Sequence, residues 1–378
     1  MIVVVGAGPA GMAAAVRARE CGKPVTVLDD NPAPGGQIWR GGKGSEWFAR
    51  FSRSGAKLLP NTRVIGGNEA DRIVRTETSA ISYDALILAT GSRELFLPFP
   101  GWTLPGVMGA GGLQALVKSG LPVKGKRIVV AGSGPLLLAV TATLRKLGAI
   151  VPLVAEQAPP AALLRFAARL SPAKLLQGTR LATSAFRPGT WIRRADGNHR
   201  LEQVELQNGK VVTCDYLAVA FGLVPNDELA IYLGCDQSIY RTGTGSVELS
   251  LAEGELAGYS AAGRPDLAQN LFPARAAAQR FANRLNRTFA PREELRTLAE
   301  PDTIVCRCED VPFGILQTAG SARAAKLHFR CGMGPCQGRI CGPAVRFLFN
   351  WQAEDSIRPP VFPARISSLI STKEPVTK

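Results

Sequence analysis

Five of the eight cysteines in this 378-residue chain lie within residues 306–341. They read Cys306-Arg307-Cys308, then Cys331-Gly332-Met333-Gly334-Pro335-Cys336-Gln337-Gly338-Arg339-Ile340-Cys341. Thiolate sulfur is soft and polarisable, so such a group binds iron strongly, and a [2Fe–2S] centre needs four ligands. Cys306 and Cys308 can both turn to one site from a loop, with Asp310 capping a helix expected over 311–319. Cys336 and Cys341 flank a Gly-containing turn ahead of an apolar helix expected from Ala344 to about Trp351. Sulfurs near a helix N-terminus gain N–H hydrogen bonds that raise the reduction potential. Structural zinc is the competing use, but C-x-C falls outside the usual spacing of zinc pairs. The preferred ligands are Cys306, Cys308, Cys336 and Cys341, because Cys341 directly precedes a helix start. Cys331 stands at the same spacing from Cys336 as Cys341 does, and is the named rival. Cys21, Cys214 and Cys235 are dispersed and read as small buried hydrophobes.

The elements that must carry such a centre begin with Val3-Val4-Val5-Gly6-Ala7-Gly8-Pro9-Ala10-Gly11. An apolar strand feeds a G-x-G-x-x-G turn and then a small-residue helix. Gly6 permits the tight turn, Gly8 lets a pyrophosphate approach the backbone, and Gly11 lets helix and strand pack closely. Phosphates would sit at the helix N-terminus, where free N–H groups and the dipole favour negative charge. A second strand, Val25-Thr26-Val27-Leu28, ends in Asp29, whose carboxylate can take a ribose hydroxyl. A similar unit runs Ile128-Val129-Val130-Ala131-Gly132-Ser133-Gly134-Pro135-Leu136-Leu137, with a strand over 151–155 ending at Glu156. Leu137 replaces the third glycine, so helix and strand are expected to pack less tightly there. Bound and empty are equally open for this site; if it is used, Glu156 favours NAD over NADP, because a carboxylate repels a 2′-phosphate. Between the two turns, Asp84-Ala85-Leu86-Ile87-Leu88 ends in Ala89-Thr90-Gly91, and a second such strand, 216–221, ends at Gly222 and is expected to return the chain to the first domain. With the Pro34-Gly35-Gly36-Gln37 loop, this is the layout of two-dinucleotide-binding flavoproteins, an α/β Rossmann-like fold in which Gly36 and Gln37 lie beside the flavin.

Composition sets the outer limits. Hydrophobic residues make up 46% and charged residues 20%, ordinary values for a globular chain. A net charge of +15 fits an acidic partner or an anionic membrane surface. The basic residues are scattered without interleaved aromatics, which argues against nucleic acid. Met1 leads straight into a strand, with no basic n-region and no cleavage site, so the chain reads as cytoplasmic. The longest uncharged stretch, 128–144, is short for a membrane span and is interrupted by Gly132 to Pro135. His199 and His328 are the only histidines, and nothing recruits either as an acid or base.

In this order the pieces resemble the large accessory subunits of bacterial opine oxidases (octopine and nopaline oxidase), with the matching subunits of hydrogen cyanide synthase and of proline or hydroxyproline dehydrogenases. The likeness rests on Gly6 to Gly11, Gly35-Gly36-Gln37, the run 88–114 with Pro98-Phe99-Pro100-Gly101-Trp102, Gly134 to Leu138, Gly222-Leu223-Val224-Pro225-Asn226, and the cysteines. The C-terminal piece is similar to [2Fe–2S] domains of the bacterioferritin-associated-ferredoxin type, whose ligands map onto Cys306, Cys308, Cys336 and Cys341. The resemblance implies a discontinuous FAD-type domain over 1–115 and 215–297, an NAD-type domain over 116–214, and a small [2Fe–2S] domain with a tail over 298–378. It implies a hetero-oligomeric dehydrogenase or oxidase acting on opines, amino or imino acids. A smaller flavoprotein subunit would oxidise the amine, and this chain would relay the electrons. Peripheral attachment at the inner face of the membrane and a further small, ferredoxin-like partner are compatible with it. The Gly-Asp or Gly-Glu motif that binds the flavin ribityl chain in relatives is missing around 240–246, and the stretch after Arg40 is short. The first site is therefore open to FAD or to another adenine nucleotide such as ATP, with an FMN shared with the partner. A stand-alone NAD(P)H-dependent flavin reductase and a non-catalytic scaffold are the alternatives.

Overall fold

Two parallel sheets of short strands organise the chain, and in each one buried strand, Ile2–Val5 or Ile128–Gly132, feeds a glycine turn and a helix. The computed structural model describes residues 1–40, 46–181, 183–234, 239–242, 246–352 and 357–370. The chain divides into two compact units, Met1–Arg93 with Pro225–Asn283 and Asp355–Lys378, and Glu94–Val224 with Arg284–Glu354.

In the first unit the sheet order is Ile239–Arg241, Ala85–Leu88, Ile2–Val5, Val25–Leu28 and Lys57–Leu59. Every pairing is parallel, with Val5 opposite both Leu28 and Leu88. A parallel sheet covered on both faces needs unbroken apolar strands, and Ile2–Val5, Val25–Leu28 and Ala85–Leu88 are buried throughout. The helix Pro9–Glu20 packs on the helix Val247–Ala261 through small residues. Gly254 and Gly258 lie so close to the backbone of Ala10 and Ala14 that a β-carbon on either glycine would overlap a carbonyl oxygen. The other face carries Val64, Val74 and Ile81 of a three-stranded antiparallel layer, with Leu229, Leu233 and Val361.

The second unit repeats the plan. Its sheet runs Phe186–Pro188, Val154–Glu156, Ile128–Gly132, Tyr216–Ala220 and Val107–Gly109, again all parallel. One face packs on the helices Ala110–Lys118 and Leu136–Lys146, where Leu137 is wholly buried among Val130, Val140 and Ala218. The larger side chain is taken into the core of this unit. The other face joins a core containing Phe99, Trp102, Ile192, Leu206 and Leu295, with Ile340 and Phe347 of the cysteine-bearing segment against it.

Five expectations need correction. The strand Tyr216–Ala220 pairs residue for residue with Ile128–Gly132 instead of returning to the first sheet, and Val107–Gly109 joins it there. The units therefore break at Arg93/Glu94 and Val224/Pro225, not near 115 and 215. A short apolar strand can serve either sheet, and the buried neighbours of Leu217 and Val219 decide which. The cysteine-bearing segment, up to Glu354, clusters with the second unit, while Val361 packs in the first. Asp310 caps no helix: it sits at φ 50° before the strand Val311–Pro312, and the helix is the shorter Phe313–Gln317. The apolar helix expected from Ala344 to about Trp351 begins at Cys341 itself and ends at Phe349.

Candidate metal centre and nucleotide turns

Cys306 ends the short strand Ile304–Cys306, which pairs antiparallel with Val311–Pro312. The intervening loop puts Cys308 at an exposed tip, and the Arg330–Glu309 ion pair, 2.7 Å, ties that loop to the end of the next helix. That helix, Ala322–Phe329, starts at Ser321, whose hydroxyl accepts from the Ala324 amide at 3.1 Å. It ends with Arg330 in the left-handed conformation, and Cys331 follows at once. From there the backbone winds through tight turns, Gln337 N–H to Gly334 O at 2.7 Å and Arg339 N–H to Cys336 O at 3.0 Å, before Cys341 opens the helix Cys341–Phe349.

These turns bring all five sulfurs together. The Sγ atoms of Cys306, Cys331 and Cys341 lie within 4.8 Å of one another, and all three residues are buried. The thiols of Cys341 and Cys308 both bear on Cys336. Backbone amides converge as well: Gly332 and Glu309 on Cys306, Ile340 and Gly338 on Cys336, and Cys336 on Cys308. The thiols of Cys331 and Cys341 hold Cys306 far below the ordinary thiol range, at about 2. Cys336 falls to about 5, chiefly because Cys341 donates to it. The proton shared with Cys306 drives Cys331 up to about 12, and its contacts with Cys306, Cys331 and Cys336 drive Cys341 upward. Five converging sulfurs with N–H groups aimed at them are the donor set an iron–sulfur cluster requires. The four expected ligands are all present, but the tightest triangle contains Cys331, which spacing alone had left as the spare.

The wall behind the centre is aromatic. Trp102 donates its indole N–H to the Ile304 carbonyl at 2.6 Å, and the Arg307 guanidinium sits 5.4 Å from its ring centroid. Phe313, Phe349 and Trp351 form a stack at 5.3 and 4.5 Å. Of the other cysteines, Cys214 is buried, Cys21 is only partly so, and Cys235 lies outside the described residues.

At the first turn, Gly6 has φ 101° and its Cα faces the Ala89 carbonyl so closely that a side chain would overlap it. Gly8 caps the helix that opens with Pro9, Ala10 and Gly11. Asp29 is buried; its carboxylate accepts from the amides of Ala7 and Asn31 and so steadies the turn from below. Gly36 lies against Gly8, whereas Gln37 is exposed. Beyond the strand Ala85–Leu88, Ala89 is buried and Thr90 exchanges hydrogen bonds of 2.7 and 2.9 Å with Asn226, whose amide donates to the Gly91 carbonyl at 3.0 Å. The stretch that lacks the acidic motif includes residues 243–245, which lie outside the described residues.

At the second turn the chain's own groups pair with one another. Glu156, 1% exposed, accepts from the amides of Gly134 at 2.7 Å and Ala158 at 2.8 Å and from the Ser133 hydroxyl at 3.3 Å. Burial outweighs these donors and lifts its carboxyl to about 7. Gln157 and residues 289–292 take part in the same network, and nothing in the local sequence pattern marks them. Glu94 is another side chain without a motif: its carboxylate accepts from Gly111 and Gly112 at the start of the helix Ala110–Lys118, and burial raises its pKa.

Residues 1–247 match the family described as pyridine nucleotide-disulphide oxidoreductase. An opine oxidase subunit of Rhizobium meliloti is 30% identical over 99% of this chain and 99% of its own length, in an alignment of 454 residues. That is longer than this chain, so the relative carries stretches missing here. The hydrogen cyanide synthase subunit HcnB of Pseudomonas aeruginosa is 30% identical over 90% of each chain. Among solved structures, L-proline dehydrogenase from P. horikoshii superposes with a TM-score of 0.66 at 18% identity, covering 97% of this chain and 78% of its own. No helix among the described residues is long and apolar enough to cross a membrane.

Proposed function

This chain belongs to the pyridine nucleotide-disulphide oxidoreductase family, as a relative of the opine oxidase protein and of HcnB, and from that premise we propose that it is the electron-relaying subunit of a heteromeric, flavin-dependent dehydrogenase or oxidase acting on CH–NH donors. The observation that carries the proposal is the convergence of five cysteine sulfurs, three of them buried within 4.8 Å, in a chain of this family. When bound, a flavin supplies a two-electron carrier and a [2Fe–2S] cluster a one-electron carrier.

The residues of the chain then have distinct tasks. Cys306, Cys308, Cys336 and Cys341 are the proposed ligands, and Cys331, inside the same triangle, is the rival for either late position. The amides of Gly332, Glu309, Ile340 and Gly338 offset thiolate charge. Cys308 brings one ligand to the surface, where electrons leave for a partner. Gly6, Gly8, Pro9, Ala10, Gly11 and Asp29 hold an adenine nucleotide, FAD or ATP, by its phosphates and ribose. The amine-oxidising flavoprotein is a second subunit; the relatives support this, since each is named as one subunit of its enzyme.

The test is anaerobic purification with the co-expressed partner, then metal analysis and low-temperature EPR before and after adding candidate opines or proline. Two irons per chain and a reduced-cluster signal raised by the amine substrate are expected. Serine replacement of each of the five cysteines in turn should abolish the signal at four positions and spare it at the fifth. One zinc per chain in place of iron, or an intact cluster that stays oxidised during turnover, defeats the proposal.

A further inference from the structure

A dinucleotide turn works by offering unpaired N–H groups to a pyrophosphate and a free carboxylate to a ribose diol. At both turns the carboxylate accepts from amides of the chain itself, Asp29 from Ala7 and Asn31 and Glu156 from Gly134 and Ala158; what sets the second turn apart is the segment packed over it. The Gly134 amide donates to Glu156, and both oxygens of Glu156 are occupied, one by Gly134 and the other by Ala158 and Ser133. Above this network lies the segment 289–292. The Ser133 hydroxyl, 2.8 Å from the Phe289 carbonyl oxygen and 3.3 Å from Glu156, shares its single proton between these two acceptors. Gln157, wholly buried, donates through Nε2 to Ser133 at 2.8 Å and to the Ala290 carbonyl at 3.0 Å, while its Oε1 accepts from the Arg292 amide at 3.1 Å.

The side chains complete the closure. The Phe289 ring borders Gly134 so that a β-carbon there would sit 3.9 Å from it. Its outer edge meets Phe166, with centroids 5.3 Å apart and planes at 74°. At the other end of the segment, the Arg292 guanidinium lies 4.9 Å from the Trp191 ring centroid. A pyrophosphate approaching Gly134 would have to displace an aromatic ring and break hydrogen bonds to Ser133 and Gln157. The first turn differs: the neighbour of Gly8 is the backbone of another glycine, Gly36, and among the described residues no aromatic side chain stands against it.

We infer that residues 289–292 are a built-in stopper of the second dinucleotide turn, so that this chain takes no nicotinamide nucleotide there and receives its electrons from a donor other than NAD(P)H. The stopper itself stands on geometry alone; the conclusion about the electron donor deepens the proposed function and rests on it. A family fold made for two dinucleotides keeps the second α/β unit as a support for the cysteine-bearing segment, whose Ile340 and Phe347 pack on the other face of its sheet.

The experiment uses the full chain with its partner. Equilibrium dialysis against NADH and NADPH should show no saturable binding up to ~1 mM, the limit of weak affinity. Hydrogen exchange of the native protein should find the amides of Gly134, Ala158 and Arg292 strongly protected. The double variant Phe289→Gly, Gln157→Ala, verified as folded by circular dichroism, should bind NADH at least about tenfold more tightly than wild type. Micromolar NADH binding by wild type that Gly134→Val abolishes would overturn the inference. So would exchange at Gly134 and Ala158 as fast as in an open loop, or a folded double variant with no gain in affinity. If the double variant does not fold, exchange in the wild type decides. Lack of iron in the purified complex would remove the electron-relay reading and leave the stopper intact.

Discussion

Glu156→Gln should remove a pH dependence from the stability of the second unit. The wild-type carboxyl is buried beside Gly134, Ser133 and Ala158 and titrates at about 7, against an ordinary value of 4.5. The folded protein therefore binds this proton more tightly than the unfolded chain does. Between about pH 4.5 and 7 the folded state holds more protons, so stability falls as pH rises, and above 7 the loss is complete. At ~1.4 kcal/mol for each tenfold change in proton affinity, the displacement amounts to about 3 kcal/mol. The assay is native-state hydrogen exchange of the central amides of Ile128–Gly132 and Val154–Glu156 at pH 5, 6, 7 and 8, corrected for intrinsic exchange and measured on both proteins. The difference, wild type minus variant, should decline by about 3 kcal/mol across the window and then level off. A flat difference would mean that the three donors cancel the cost of burial. A difference that rises with pH would mean that they exceed it, and the account of this site as desolvated would be wrong.

Further outcomes follow from other contacts. Gly254→Ala places a β-carbon on the Ala10 carbonyl oxygen; the two helices must separate, at a cost of about 1–3 kcal/mol, visible as a lower unfolding temperature and weaker binding of adenine nucleotide at the first turn. Asp29→Ala leaves the buried amide of Ala7 and the half-buried amide of Asn31 without their acceptor; calorimetry with ADP should show affinity falling at least about tenfold, with partial recovery in Asp29→Asn. Trp102→Phe leaves the Ile304 carbonyl unpaired, costing about 1–3 kcal/mol; chelator-driven iron loss should accelerate while nucleotide affinity at the first turn stays constant.

Much of this protein was legible along the chain, because the physics involved is local. Glycines at 6, 8 and 11 between an apolar strand and a small-residue helix admit few conformations, and Ile2–Val5 and Pro9–Glu20 form as that pattern demands. The same holds for Ile128–Gly132 and Leu136–Lys146. Cysteine is rare enough, and thiolate chemistry narrow enough, that residues 306–341 stand out along the chain as candidate metal ligands, and the fold brings Cys306, Cys331 and Cys341 within reach of one another.

What only the tertiary structure decided depends on residues far apart in the chain. Tyr216–Ala220 is equally apolar whichever sheet it joins, and pairing with Ile128–Gly132 is settled by packing around Leu217 and Val219. Cys331 enters the inner sulfur triangle because Arg330 turns left-handed and redirects the backbone, a choice that spacing does not encode. Glu156 carries the signature of a ribose ligand, yet its carboxylate is consumed by the chain itself. Gln157 and Arg292, 135 residues apart, meet over the turn that Glu156 was meant to serve. A glycine turn can be recognised from its own sterics; whether it stays open depends on what the rest of the chain packs against it.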